Sequence, residues 1–182
     1  MAYSTQNSLL LNKLIKFYKK NNNLSQILPI INGESPISLR LIDWFTTNYA
    51  KKNYIIYKIT KGSTEKRFKV YIDYKLKLKA YSKRRFDPFC RWDRIDIPYG
   101  NNCCIQTTIG QLNFFKWALE NKIIEYIENH YDKIEADMNN RNSTARYNVP
   151  INKNTRKKRQ ELSVSATKTI KKEDVEIVVR FS

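Results

Sequence analysis

Leu10, Leu11, Leu14, Ile15, Phe17 and Tyr18 recur at three- and four-residue steps through residues 6–20, the spacing that puts one apolar stripe on a helix. The charges in this segment are Lys13, Lys16, Lys19 and Lys20, gathered toward its C-terminal half, where the helix dipole favours cations. A break at Asn21-Asn22-Asn23 and an apolar connector containing Pro29 and Gly33 follow. A second helix is predicted from Ser35, an N-cap residue with Pro36 at the first helical position. Its stripe is Ile37, Leu41, Trp44, Phe45 and Tyr49, ending near residue 50.

The period then changes. Residues 54–59 are β-branched and aromatic, and a Lys61-Gly62-Ser63-Thr64 turn leads into RFKVYIDYKLKLKAY, which alternates strictly. Phe68, Val70, Ile72, Tyr74, Leu76, Leu78 and Ala80 fall on one side; Arg67, Lys69, Tyr71, Asp73, Lys75, Lys77, Lys79 and Tyr81 fall on the other. Such alternation predicts antiparallel strands with one face on a core and one in water. Fifteen residues at about 3.3 Å each would reach about 50 Å, so a bend, a bulge or an irregular end is expected. Residues 94–99 and 103–106 add short strands.

Thr108 caps a helical pattern from 109 to about 138, marked by Leu112, Phe115, Leu119, Ile123, Ile127, Tyr131, Ile134 and Met138, with Asn121 a candidate break. This is the one acidic region, with Glu120, Glu125, Glu128, Asp132, Glu135 and Asp137 against Lys116, Lys122 and Lys133. Residues 139–160 hold seven basic residues and no acid, and read as a flexible linker. In the last 22 residues, ELSVSATKTI and VEIVVRF flank Lys171-Lys172-Glu173-Asp174, as in a hairpin or an added edge strand. The expected fold is α+β: a short antiparallel sheet with helices on one face. Residues 1–34 form a leading helix and connector, 35–138 the core domain, 139–160 the linker and 161–182 a C-terminal β segment.

Composition sharpens this picture. Over 182 residues, 34 Lys and Arg oppose 17 Asp and Glu, for a net charge of +17 spread along the chain, which attracts polyanions. The 13% aromatic content argues for a folded core, and with 4 Gly and 5 Pro the collagenous and low-complexity classes are excluded. No stretch reaches the ~18 apolar residues of a membrane span, and the early charges follow the apolar residues, so neither a span nor a secretory signal is expected. Cys90, Cys103 and Cys104 lack C-x-x-C spacing and read as free thiols in a reducing compartment.

The candidate chemistry is a cationic strand face. Lys69, Lys75, Lys77 and Lys79 share one side with Tyr71 and Tyr81, and the charge continues through Lys83, Arg84, Arg85, Arg91 and Arg94. Thirteen basic residues and only Glu65 and Asp73 as acids occupy 51–85. Phosphate neutralisation releases counterions while aromatic faces stack on bases, so this pattern points to nucleic acid. The bland reading is a solvated face or a Lys-protected sheet edge. Arg156-Lys157-Lys158-Arg159, with Arg141, Arg146 and Lys153, reads as a second, arm-like contact. Asp87, Asp93 and Asp96 are a weak metal candidate, and no cofactor is expected. Asp73-Tyr74-Lys75, with Asp43, has the residue types of a metal-dependent nuclease strand but is a pattern common by chance in Lys-rich chains. The lone His130 sits at helical spacing among Ile127, Tyr131 and Ile134 and reads as structural.

SLRLIDWFTTNYAKKN (38–53), FKVYIDYKLKLKAYSKRRFDPFCRWDRI (68–95), TTIGQLNFFKWALENKIIEYI (107–127) and VEIVVRF (175–181) resemble an uncharacterised family of the nucleocytoplasmic large DNA viruses, in the mimivirus and algal-virus lineages. The resemblance implies a viral protein of the infected cell or virion and brings no known activity. The expectation is a non-enzymatic protein that binds nucleic acid, DNA before RNA, without sequence preference, in genome condensation, packaging or replication. The alternative is a minor capsid or internal scaffold component that meets other virion proteins. The site would be the virion, the cytoplasmic viral factory or the nucleus, and not outside the cell.

Overall fold

A computed structural model of the protein describes residues 5–20, 22–99, 103–147 and 171–174. The basic run Arg156, Lys157, Lys158 and Arg159 and the apolar stretches 161–170 and 175–182 lie outside them. The elements are α1 (Thr5–Lys19), α2 (Asn23–Asn32), α3 (Leu39–Trp44), a π-helical turn (Phe45–Tyr49), α4 (Ala50–Lys52), β1 (Ile56–Lys61), β2 (Thr64–Lys69) and α5 (Val70–Tyr81). There follow α6 (Lys83–Phe86), β3 (Arg94–Tyr99), β4 (Cys103–Thr108), α7 (Ile109–Glu120), α8 (Ile123–Asn129), α9 (Tyr131–Tyr147) and β5 (Lys171–Asp174). The class is α+β. Instead of one sheet, the described residues form two antiparallel sheets, β1–β2 and β3–β4–β5.

The apolar connector is itself a helix. Pro29 lies inside α2, where it removes one backbone bond, yet Ile27 and Ile30 are buried at helical spacing and Gly33 closes the helix at φ +75 with its N–H on the Pro29 carbonyl. The next helix begins three residues later than expected. Ser38, not Ser35, is the cap: its side chain accepts from Leu41 N at 3.1 Å, while Ser35 Oγ accepts from Ile37 N. Ile37 before the cap and Ile42 four residues after it are both buried, the positions of a hydrophobic staple. The π-helical turn follows where Thr46 and Thr47 both donate to the Asp43 carbonyl, at 3.1 and 2.7 Å.

The largest departure is α5. Alternation holds only through β2; from Val70 to Tyr81 the chain is helical. Leu, Lys and Ala are good helix formers, and Val70, Tyr74 and Tyr81 also fit a 3.6-residue period, so the segment carries two patterns at once. Packing chooses between them. A helix turns Val70 and Tyr74 into the core, where Tyr74, Phe86, Phe114 and Trp117 form four mutually contacting rings with centroids 5.6–6.3 Å apart. The twelve residues then span about 18 Å instead of extending beyond the domain.

The core is centred on α7. Thr108 caps it, accepting from Gln111 N at 3.2 Å. The helix is buried around most of its circumference, including Leu112, Phe114, Phe115, Trp117 and Ala118, so it does not present the acidic outer face that the 109–138 pattern implied. Its buried polar groups are satisfied internally: Thr107 Oγ1 donates to Gln111 Oε1 at 3.0 Å and Asn113 Nδ2 to the Arg85 carbonyl at 2.9 Å. Gly110 allows α6 to lie against it, since a Cβ there would stand 3.0 Å from the Asp87 carbonyl oxygen and 3.1 Å from that of Arg84. From the other side α1 supplies Leu14 and Tyr18, whose hydroxyl donates to the Leu112 carbonyl at 2.6 Å.

Asn121 ends α7 as expected, with Nδ2 on the Trp117 carbonyl, and Lys122 turns the chain at φ +55 into α8. Helix α9 continues through Tyr147, so residues 139–147 of the expected linker are helical. Met138 packs on the core and the Arg141 guanidinium sits 5.9 Å from the Trp44 ring, which extends the packing beyond the apolar stripe. Within the expected C-terminal β segment, Lys171–Asp174 form strand β5, added beside β4 and paired antiparallel with it from Gln106↔Lys171 to Cys103↔Asp174.

Candidate nucleic-acid interface

The β1–β2 hairpin holds a cationic strand face, shorter than the one read from the sequence. Lys61 pairs with Thr64 across a Gly62-Ser63 loop in which Gly62 has φ +64, the sign that two-residue hairpin loops require. Register follows: Ile59 and Phe68 turn inward and are buried, and Tyr57 stacks at 5.0 Å on Tyr126. The other face carries Ile56, Lys58 and Thr60 against Lys69, Arg67 and Glu65, all exposed. Lys58 stands directly opposite Arg67, an arrangement of like charges that destabilises a ladder. Lys58 Nζ reaches Glu65 at 3.0 Å, which leaves Arg67 and Lys69 without an ionic partner among the described residues.

The other predicted residues are redistributed by α5. At 100° per residue Lys75 and Lys79 stay together on its outer side, while Lys77 lies about 160° away from both on the flank nearer the core and is half-buried. Lys69 remains on β2. Tyr81 stacks on Phe86, with centroids 6.0 Å apart, and Tyr71 lies 5.7 Å beneath Lys51 Nζ, so the two tyrosines do not interleave with the lysines. Lys83 and Arg84 are exposed on α6, and the Arg84 guanidinium rests 4.2 Å from the Trp92 ring centroid. Arg85 is a tether instead: Nε and Nη1 donate to Asn7 Oδ1 and Gln6 Oε1 at 2.7 and 3.2 Å, fixing α1. Arg91 is exposed, and Arg94 donates to Gln106 Oε1 at 3.0 Å.

The nuclease pattern is not assembled. Asp73 and Lys75, two apart on a helix, point about 160° from one another, and Asp73 Oδ1 accepts from Trp117 Nε1 at 2.6 Å. Asp43 is half-buried on α3, where desolvation, and then the nearby charge of Asp87, push its carboxyl up to about 7. Asp87 Oδ1 accepts from Phe89 N at 2.9 Å, ordering the turn that follows α6. Among the described residues no three His, Cys, Asp or Glu side chains come together as metal ligands. His130 stacks on Tyr126 at 4.2 Å with Nδ1 2.9 Å from that residue's carbonyl, in keeping with a structural role. Cys90 and Cys104 are free.

A family model described as a family of unknown function, DUF7197, matches residues 2–182. The chain belongs to that family. It is similar to an uncharacterized protein of Acanthamoeba polyphaga mimivirus, 45% identical over 135 residues, which cover 71% of this chain and 52% of the relative. The chain thus spans about half the length of the curated relative it matches. The resemblance to uncharacterised proteins of the large DNA viruses is borne out. No solved structure matches. Among the described residues no helix is long and apolar enough to cross a membrane.

For this member of the family, sequence reasoning missed Lys58 as part of the true strand face and Ile72 and Leu76 as surface residues. Placing the hairpin turn at Gly62 and folding 64–69 back on 56–61 would have found Lys58. Nothing local separates Ile72 and Leu76 from core positions, because their exposure depends on which side of α5 meets Trp117.

Proposed function

We propose that this protein binds nucleic acid, DNA before RNA, without strong sequence preference, through the outer face of hairpin β1–β2 together with Arg84 and Arg91. The observation that carries the reading is Arg67 beside Lys69 on the exposed face of β2, neither with an ionic partner among the described residues because Glu65 is taken by Lys58. Arg84, planar and presented on Trp92, adds a cation suited to phosphate. The net charge of +17 supplies long-range attraction. In a viral protein such binding serves genome condensation, packaging or replication, in the infected cell or the virion.

The test is a salt titration of binding to duplex DNA, single-stranded DNA and heparin. Each phosphate contact contributes about 0.9 to the slope of log affinity against log salt. Arg67→Glu with Lys69→Glu is expected to lower that slope by about 2, and replacing Arg156, Lys157, Lys158 and Arg159 by Ser measures the arm separately. An unchanged slope in the hairpin variant rejects the hairpin as the interface; absence of any salt dependence rejects nucleic-acid binding altogether. A structural role in the virion is the second reading, favoured by the exposed aliphatic side chains of α5. Persistence of the protein in shells emptied of DNA would select it.

A further inference from the structure

Helix α5 turns two large aliphatic side chains to water: Ile72 is 53% exposed and Leu76 60%. They are one turn apart, and Ala80, also exposed, continues the ridge. Beside it runs a parallel row, Lys75 and Lys79 one turn apart and Lys83 just beyond the helix end. Ile72, Leu76 and the three lysines, with Tyr71 and Leu78, line an open groove of about 560 Å³ that has no acidic residue in its wall. Among the described residues none of the three lysines is ion-paired.

We propose that this groove docks an acidic amphipathic helix of a partner protein. An aliphatic ridge flanked by a cationic row, both at four-residue spacing, complements a helix whose apolar ridge is flanked by Glu or Asp at the same spacing. About 18 Å of α5 accommodates three turns of such a helix. Phosphates alone would engage the lysines and leave Ile72 and Leu76 against polar backbone, whereas a helix covers both features. A second copy of this chain is a poor occupant. Its exposed acidic row, Glu125, Glu128 and Asp132, carries no large exposed aliphatic side chain, and a charge of +17 on each copy opposes the approach. The groove shares no residue with the hairpin interface, so this inference stands or falls apart from nucleic-acid binding.

The experiment uses the full chain and a fluorescent 14-residue helical peptide with Leu at one-turn spacing flanked by Glu, read by anisotropy. A second peptide has every Glu replaced by Lys; a single-stranded oligonucleotide and phosphatidylserine vesicles complete the set. The acidic peptide is expected to bind and the basic one not. Ile72→Ser with Leu76→Ser should weaken the acidic peptide at least about tenfold and leave the oligonucleotide unchanged. Lys75→Glu with Lys79→Glu should exchange the preference toward the basic peptide. All four residues are at the surface, and circular dichroism checks that each variant is folded. No binding of the acidic peptide, or binding indifferent to Ile72 and Leu76, overturns the proposal. So does a Ser pair that loses the oligonucleotide or the vesicles in place of the peptide.

Discussion

Asp43 makes stability fall as pH rises through the acid range. Its carboxyl is half-buried on α3 with the charge of Asp87 nearby, and these two influences hold it near pH 7 instead of the ordinary 3.8. The unfolded chain releases the proton near 4, the folded chain only near 7. Between those values the unfolded state binds fewer protons, so stability declines by about 1.4 kcal/mol per pH unit. By pH 8 this reaches about 4 kcal/mol, an upper figure that assumes no relaxation around the ionised group. Asn has nearly the same shape and no charge to release. Asp43→Asn should therefore melt with the wild type at pH 4 and well above it at pH 8, by about 10 °C for a domain of this size. Asp137 works in the opposite sense: burial would raise its carboxyl, but hydrogen bonds from Lys52 and Trp44 hold it low. It is common to both proteins and cancels in the difference. Calorimetric melts of the pair from pH 4 to 8 are the assay. Equal melting temperatures at every pH would mean that Asp43 ionises as an exposed carboxyl does, and the desolvation argued for it would be refuted.

Two further substitutions probe the backbone. Gly110→Ala places a methyl group 3.0 and 3.1 Å from the backbone oxygens of Asp87, just after α6, and Arg84, in a segment pinned by the buried Phe86 and by Asn113 on the Arg85 carbonyl. Overpacking of about 1–3 kcal/mol outweighs the helix propensity gained, and a net loss of about 1 kcal/mol is expected in urea unfolding; a gain would show that α6 yields freely. Lys122→Gly relieves a left-handed backbone of φ +55 at the cost of an exposed ion pair with Glu125. Stability should rise by about 1 kcal/mol, and a fall would mean that the turn depends on the Lys122 side chain.

What the sequence revealed and what it concealed follow from the range of the interactions involved. Thr108 as a cap, the turn at Gly62, the break at Asn121 and the short strands β3 and β4 rest on contacts within a few residues, and each is where local chemistry puts it. Helix α5 could not be read that way. Residues 70–81 satisfy a two-residue and a 3.6-residue period together, and the choice between them lies in Trp117, 44 residues beyond Asp73, whose indole N–H donates to the Asp73 carboxylate while its ring packs on Tyr74. That one distant contact turns a cationic strand face into two separate surfaces. Lys69 stays on the hairpin with Arg67, on an exposed cationic face, while Lys75 and Lys79 move beside Ile72 and Leu76, where charge and apolar surface lie together. The two surfaces proposed above, one for nucleic acid and one for an acidic helix, thus divide a run of lysines that the sequence presents as one.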